Sequence, residues 1–157
     1  MRKLTAILAI ILIILAGFAA WFWFGGTLRA QVYIQTARAA DYPEAYGAIR
    51  RLVASGSAPQ TFEGARLDED PAAYTLADVT VTLTNRGLFP AEWLDIRAEA
   101  APGDIAVYSL TGEGSDIPAR DTAQVNLKLV TTAMPDAVRD ITIQYHIHGM
   151  QRKITVR

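Results

Sequence analysis

The chain has 157 residues, no cysteine, and 16 acidic against 15 basic residues, for a formal net charge of −1. The missing thiols exclude disulfides, thiolate catalysis and cysteine-ligated zinc. Without a basic excess, neither nucleic acid nor anionic lipid is an expected partner.

Leu4 to Phe24 carries no charged residue and only Thr5 is clearly polar. As a helix it would reach roughly 31 Å at about 1.5 Å per residue, the thickness of a hydrocarbon core. The expectation is a single transmembrane helix over 1–24, a signal anchor in the lipid bilayer of the plasma membrane. The competing reading is a cleaved signal peptide, with Arg2 and Lys3 as the basic region and Gly17-Phe18-Ala19 as the cleavage site. Against it stand the length of the apolar run, the apolar terminus that cleavage would leave, and Trp21 and Trp23 at the level of an interfacial aromatic belt. Arg2 and Lys3 crowd one end of the span, whereas Arg29 and Arg38 lie further from the other. The positive-inside bias therefore places the N-terminus in the cytoplasm and 25–157 in the extracytoplasmic space. The abundance of arginine over lysine beside many alanines suggests a GC-rich bacterial genome.

Gly25-Gly26 is placed to end or kink this helix. Thr27 to Ala40 is ambiguous, since Val32 and Ile34 alternate like a strand while Leu28, Val32 and Thr36 share a helical face; it is read as a helix. Asp41-Tyr-Pro-Glu44 then carries the signals of a capped helix start, with Asp41 as N-cap and Pro43 in the first turn. Tyr42, Ala45, Tyr46, Ile49, Leu52 and Val53 fall on one face of it, and Gly56 closes it. Residues 25–58 are thus expected to form a short amphipathic helical stalk. Its apolar face either packs on the preceding helix or on the C-terminal domain, or docks a partner or the membrane, with Arg50 and Arg51 opposite.

From Pro59 onward the period changes to two, and Pro59, Pro71, Pro90, Pro102, Pro118 and Pro135 fall between strand-like runs. Val79, Val81 and Leu83 alternate with threonines, and Val125, Leu127 and Leu129 with Gln124, Asn126 and Lys128. Ile141, Ile143, Tyr145 and Ile147 alternate with polar residues up to Gly149-Met150, read as a two-residue turn into a last strand carrying Ile154 and Val156. Weaker runs at Thr61 to Leu67, Glu92 to Ala98 and Ile105 to Leu110 bring the total to about seven strands. The fold class expected for 59–157 is an all-β immunoglobulin-like sandwich.

The run from Asp78 to Ile96, DVTVTLTNRGLFPAEWLDI, turns at Asn85-Arg86-Gly87 and enters the next strand through Pro90-Ala91. It resembles the opening hairpin of bacterial CARDB-type adhesion modules and of water-stress (late-embryogenesis-abundant, group two) sandwiches. Ile117 to Thr122 resembles the entry those domains use near their penultimate hairpin. The resemblance covers roughly 75–157, has no catalytic residue to transfer, and implies a binding or scaffolding domain.

Candidates for chemistry are few. His146 and His148, two apart on an expected strand, would share a face and could pinch a metal, though no third ligand is evident; a solvated sheet face is the plainer reading. Asp68-Glu69-Asp70 lacks the glycine and bidentate glutamate of a calcium loop and reads as an acidic turn. Neither Ser109 nor Ser115 sits in a nucleophile elbow, and Gly112 to Gly114 is no phosphate loop. Trp93 is read as core rather than as a ligand platform. No catalytic, cofactor or metal residue is assigned and no enzyme is expected. The expected function is a membrane-anchored binding or scaffolding module that engages an envelope protein or a surface ligand. The alternative is an accessory subunit of a membrane transporter or secretion complex.

Overall fold

The computed structural model describes residues 2–24, 28–62, 64–132 and 139–157, and in the first of these stretches the side chains of 6–20. The expectations resting on Trp21, Trp23, Gly25-Gly26 and Pro135 lie outside these limits. Helix α1 runs Arg2–Phe24. It has no sheltered side where described, since Ile7, Leu8, Ile10, Ile11, Leu12, Ile13, Ile14, Leu15 and Phe18 are all exposed, from 49% at Ile11 to 71% at Ile13. Among the described residues no helix is long and apolar enough to cross a membrane; the side chains described in α1 cover only part of the run from Leu4 to Phe24.

The segment expected to continue as helix is instead strand β1, Leu28–Arg38. It pairs antiparallel with β3, Thr75–Asn85, in one uninterrupted register from Leu28↔Asn85 to Arg38↔Thr75. The local sequence permitted either form, and a partner far along the chain decided it, with Val32, Tyr33, Ile34 and Thr36 suited to a pleated surface. The first strand of the sandwich therefore lies within the stretch read as a stalk.

Among the described residues eight strands form two antiparallel sheets, a β-sandwich. The larger has the order β1-β3-β6-β5-β2, with β6 at Thr122–Thr131, β5 at Asp104–Thr111 and β2 at Gln60–Thr61. The smaller has the order β4-β7-β8, with β4 at Glu92–Ala98, β7 at Ile141–Ile147 and β8 at Met150–Val156. The alternations read in β3, β6 and β7 hold, and Val79, Val81, Leu83, Val125, Leu127, Ile143 and Tyr145 fill the core between the sheets. The run from Thr61 to Leu67 is a strand only at its first residue, which pairs through β2 with β5.

Two local expectations are corrected. The β7–β8 register ends at Ile147↔Met150, so the turn is His148-Gly149 rather than Gly149-Met150. Its φ values of 54° and 70° are both left-handed, as a two-residue hairpin turn that follows the twist of its strands requires. Helix α2, Pro43–Ala54, starts from Tyr42 with no side-chain cap, because Asp41 is taken into a 3₁₀ turn over Ala39–Asp41. That turn is pinned by the Ala39 N–H donating to the Tyr74 carbonyl at 3.0 Å. The end of α2 is as expected: Gly56 N–H donates to Val53 O and Ser57 N–H to Leu52 O, both at 3.1 Å, a Schellman closure with Gly56 at φ 67°.

The apolar face of α2 packs on the β domain. Tyr46, Ile49 and Val53 are buried with Ala39, Tyr74, Ala106 and Val130 in a second core on the outer face of the larger sheet.

Candidate functional site

The residues that looked most chemical are committed to structure. Asp68 accepts from the Tyr74 hydroxyl through Oδ2 at 3.2 Å, while its carbonyl accepts from the Tyr46 hydroxyl at 2.8 Å. Glu69 pairs with Arg50 at 3.2 Å, and Asp70 caps the 3₁₀ turn at Pro71–Ala73 by accepting from the Ala72 N–H at 2.9 Å. Asp68 thus clasps two tyrosines whose rings stack at 5.4 Å. His146 lies on β7 opposite Glu92 and Gln151, but His148 has left the strand for the turn, where its ring meets Phe89 edge-on at 3.8 Å. The shared face assumed for the two imidazoles therefore does not form. Among the described residues no group of three metal-ligating side chains converges. The Ser115 hydroxyl donates to the Gly112 carbonyl within its own loop, and Ser109 sits opposite Lys128 in the β5–β6 ladder.

One end of the sandwich is organised by Asn85, which is fully buried. Its amide nitrogen donates to the carbonyls of Phe89 at 2.8 Å, Pro118 at 3.1 Å and Ile117 at 3.2 Å, and its oxygen accepts from the Gly87 N–H at 2.9 Å. The two motifs that carried the resemblance are thus laced together by one side chain. Leu28 reaches the same end, donating its N–H to the Tyr145 hydroxyl of the opposite sheet at 3.2 Å.

Trp93 corrects its expectation most sharply. It is 73% exposed, not core. The β4–β7 register slips between Glu92 and Asp95, and Trp93 sits in this bulge at φ 57°, its backbone N–H donating to Asp116 Oδ1 at 3.0 Å. A left-handed backbone is unfavourable for a residue of this bulk. The indole lies on the outward face with Asp95 and Arg97, opposite the buried Leu94, Ile96 and Ala98, and the loop between β3 and β4 carries Leu88, 43% exposed. The local alternation carried the signal, since a strand that buries Leu94, Ile96 and Ala98 turns Trp93 to its other face; the indole's apolar bulk argued the other way.

Among the described strands the sheets have four edges, and three carry familiar protection against pairing with another chain. Strand β2 has only two residues. Strand β4 is bulged. Strand β8 carries Arg152 and Lys153. Strand β1 is different: eleven residues, no bulge, no proline, and no charge between Arg29 and Arg38. Tyr33 on one face is 62% exposed and Ile34 on the other 36%. Beside its outer face a cleft of about 440 Å³ is lined by Gln35, Ala37, Tyr42, Ala45, Tyr108 and Lys128.

No protein-family model and no curated protein matches the chain. Solved structures similar to it include a structural-genomics target at 15% identity, covering 83% of this chain and 82% of that one, with a TM-score of 0.45. Another is the putative ApaA protein from Bordetella pertussis, at 13% identity over 84% of this chain and 89% of that one, TM-score 0.44. An uncharacterized β-sandwich protein from Clostridium difficile 630 matches at 11% identity over 83% and 85%, TM-score 0.29.

Proposed function

We propose that this chain is a membrane-anchored, extracytoplasmic binding module, not an enzyme, in which the β-sandwich takes up an extended segment of an envelope protein along the edge of β1. The open β1 edge carries the reading. An added strand would gain main-chain hydrogen bonds along eleven residues, and alternate side chains would meet Ile34 on one face and the cleft by Tyr42 and Tyr108 on the other. The anchor assignment rests on the uncharged run from Leu4 to Phe24 and on α1, whose described aliphatic residues are exposed on every side. Holding the sandwich at the membrane raises its effective concentration toward partners in the same bilayer. A CARDB-type or water-stress relationship for 75–157 would fit a binding role and rests on the residues from Asp78 to Ile96 and from Ile117 to Thr122.

The test is crosslinking in intact native membranes, purification, and identification of proteins held in near-stoichiometric amount. Ile34→Lys places a charge on the open edge at a site already partly exposed, and should reduce capture of the partner at least about tenfold, the effect of roughly 1.4 kcal/mol. Undiminished capture by this variant would overturn the edge assignment. If capture instead depended on the sequence of Leu4 to Phe24, lost when an unrelated span is substituted, the accessory-subunit reading would replace it.

A further inference from the structure

We propose that the end of the sandwich where β1 begins lies against the lipid surface, with Trp93 and Leu88 seated among the headgroups; this rests on the anchor reading above. Leu28 follows Phe24 by four peptide steps, which at about 3.8 Å each can separate them by no more than about 15 Å. A rim tethered so closely to the end of a spanning helix is always within reach of the interfacial layer.

The rim has the composition of a surface that meets that layer. Strand β3 ends there at Asn85 and β4 starts there at Glu92, so the loop bearing Leu88 and the bulge bearing Trp93 share the end at which Leu28 enters. Both side chains are exposed, at 43% and 73%. Tryptophan is the residue most at home at a membrane interface, its indole apolar in body with an N–H to offer to polar groups. Trp93 faces away from the core with Asp95 and Arg97, and the bond from its backbone N–H to Asp116 holds the left-handed bulge in which it sits. Arg29, Arg86 and Arg120 are exposed around the same end, with Asp116 and Asp121 among them. That mixture gives no strong net charge and suits a zwitterionic surface, where arginines meet phosphates and their apolar stems lie along the interface.

The chain has three tryptophans, so Trp21→Phe with Trp23→Phe leaves Trp93 as the sole indole, and Trp93→Phe alone leaves the two in the anchor. Each full-length variant is reconstituted into phosphatidylcholine vesicles whose acyl chains are brominated near the headgroup, and its fluorescence is compared with that in unbrominated vesicles. We expect Trp93 emission to shift to the blue in vesicles and to fall by roughly twofold with bromination, as for an indole at the interface. Leu88→Asp in the same background should abolish most of that loss. Quenching of the anchor tryptophans without quenching of Trp93 would overturn the inference while leaving the anchor standing, and would make the rim a surface for a protein. Quenching of neither would remove the anchor and the inference together. Because the vesicles contain no other protein, contact with a partner cannot produce the signal.

Discussion

Tyr46 holds its hydroxyl proton up to about 12, first because the ring is buried and then because Tyr74 and Asp68 crowd the site with oxygen. Unfolded, the same group would titrate near its ordinary value of 10.0. The stability this contributes is fully present below pH about 10 and is lost as pH rises from there through about 12, because the unfolded chain releases the proton first. It amounts to at most about 3 kcal/mol. Tyr46→Phe should flatten the decline in urea-unfolding stability across that window, leaving the smaller slope due to Tyr108, which burial also raises. The placement of Tyr46 on the buried face of α2 was legible from helical spacing alone. Its bond to Asp68 was not, because a clasp between a helix and a loop 22 residues on leaves no periodic trace. Trp93 shows the opposite failure: the alternation of Leu94, Ile96 and Ala98 puts it on the outward face, while its apolar bulk argued, wrongly, for the core.

At the scale of elements, sequence reading did best where a pattern was both local and regular. β3, β6 and β7 were recognised from alternation, the weaker run from Glu92 to Ala98 coincides with β4, and α2 was recognised from its proline and its apolar stripe. β1 failed because its type was set by pairing with β3 and not by its own residues. The turn was displaced by one residue because the usual Asn-Gly signal is replaced by His148-Gly149, and histidine in a left-handed conformation is uncommon. Gly149 has φ 70° with open space where a Cβ would go, so the cost of a side chain there is conformational and not steric. Gly149→Ala should therefore lower stability by roughly 1–2 kcal/mol without altering the core. A thermal-unfolding comparison of the two proteins in the same detergent measures it, and an unchanged midpoint would mean that the hairpin is reshaped without cost.

For the whole molecule, the two-layer architecture followed from strand count, proline punctuation and size, whereas the unequal split of strands between the sheets depends on pairings that no local pattern encodes. The far end of the sandwich is bolted by a buried pair, Arg139 donating to Asp104 through Nε and Nη2 at 2.8 and 2.7 Å. Ala100 is exposed at this same far end, away from the rim of Leu88 and Trp93, and suits a reporter. Since the chain has no cysteine, Ala100→Cys gives a single thiol. On the proposed orientation, a membrane-impermeant maleimide should label it in spheroplasts before lysis. Labelling only after lysis would place the sandwich on the cytoplasmic side.

The unbroken register of β1 with β3 also has a mechanical meaning. With α1 held in a bilayer, tension between the membrane and a partner gripping the sandwich elsewhere would enter the domain at Leu28 and run along the strand. Pulled lengthwise, β1 would load all its rungs with β3 together, from Leu28↔Asn85 to Arg38↔Thr75, instead of opening them one at a time. The strand proposed as the landing place for a partner is thus also the cable by which the domain would bear load, and a partner strand added to its free edge would double the ladder that resists the pull.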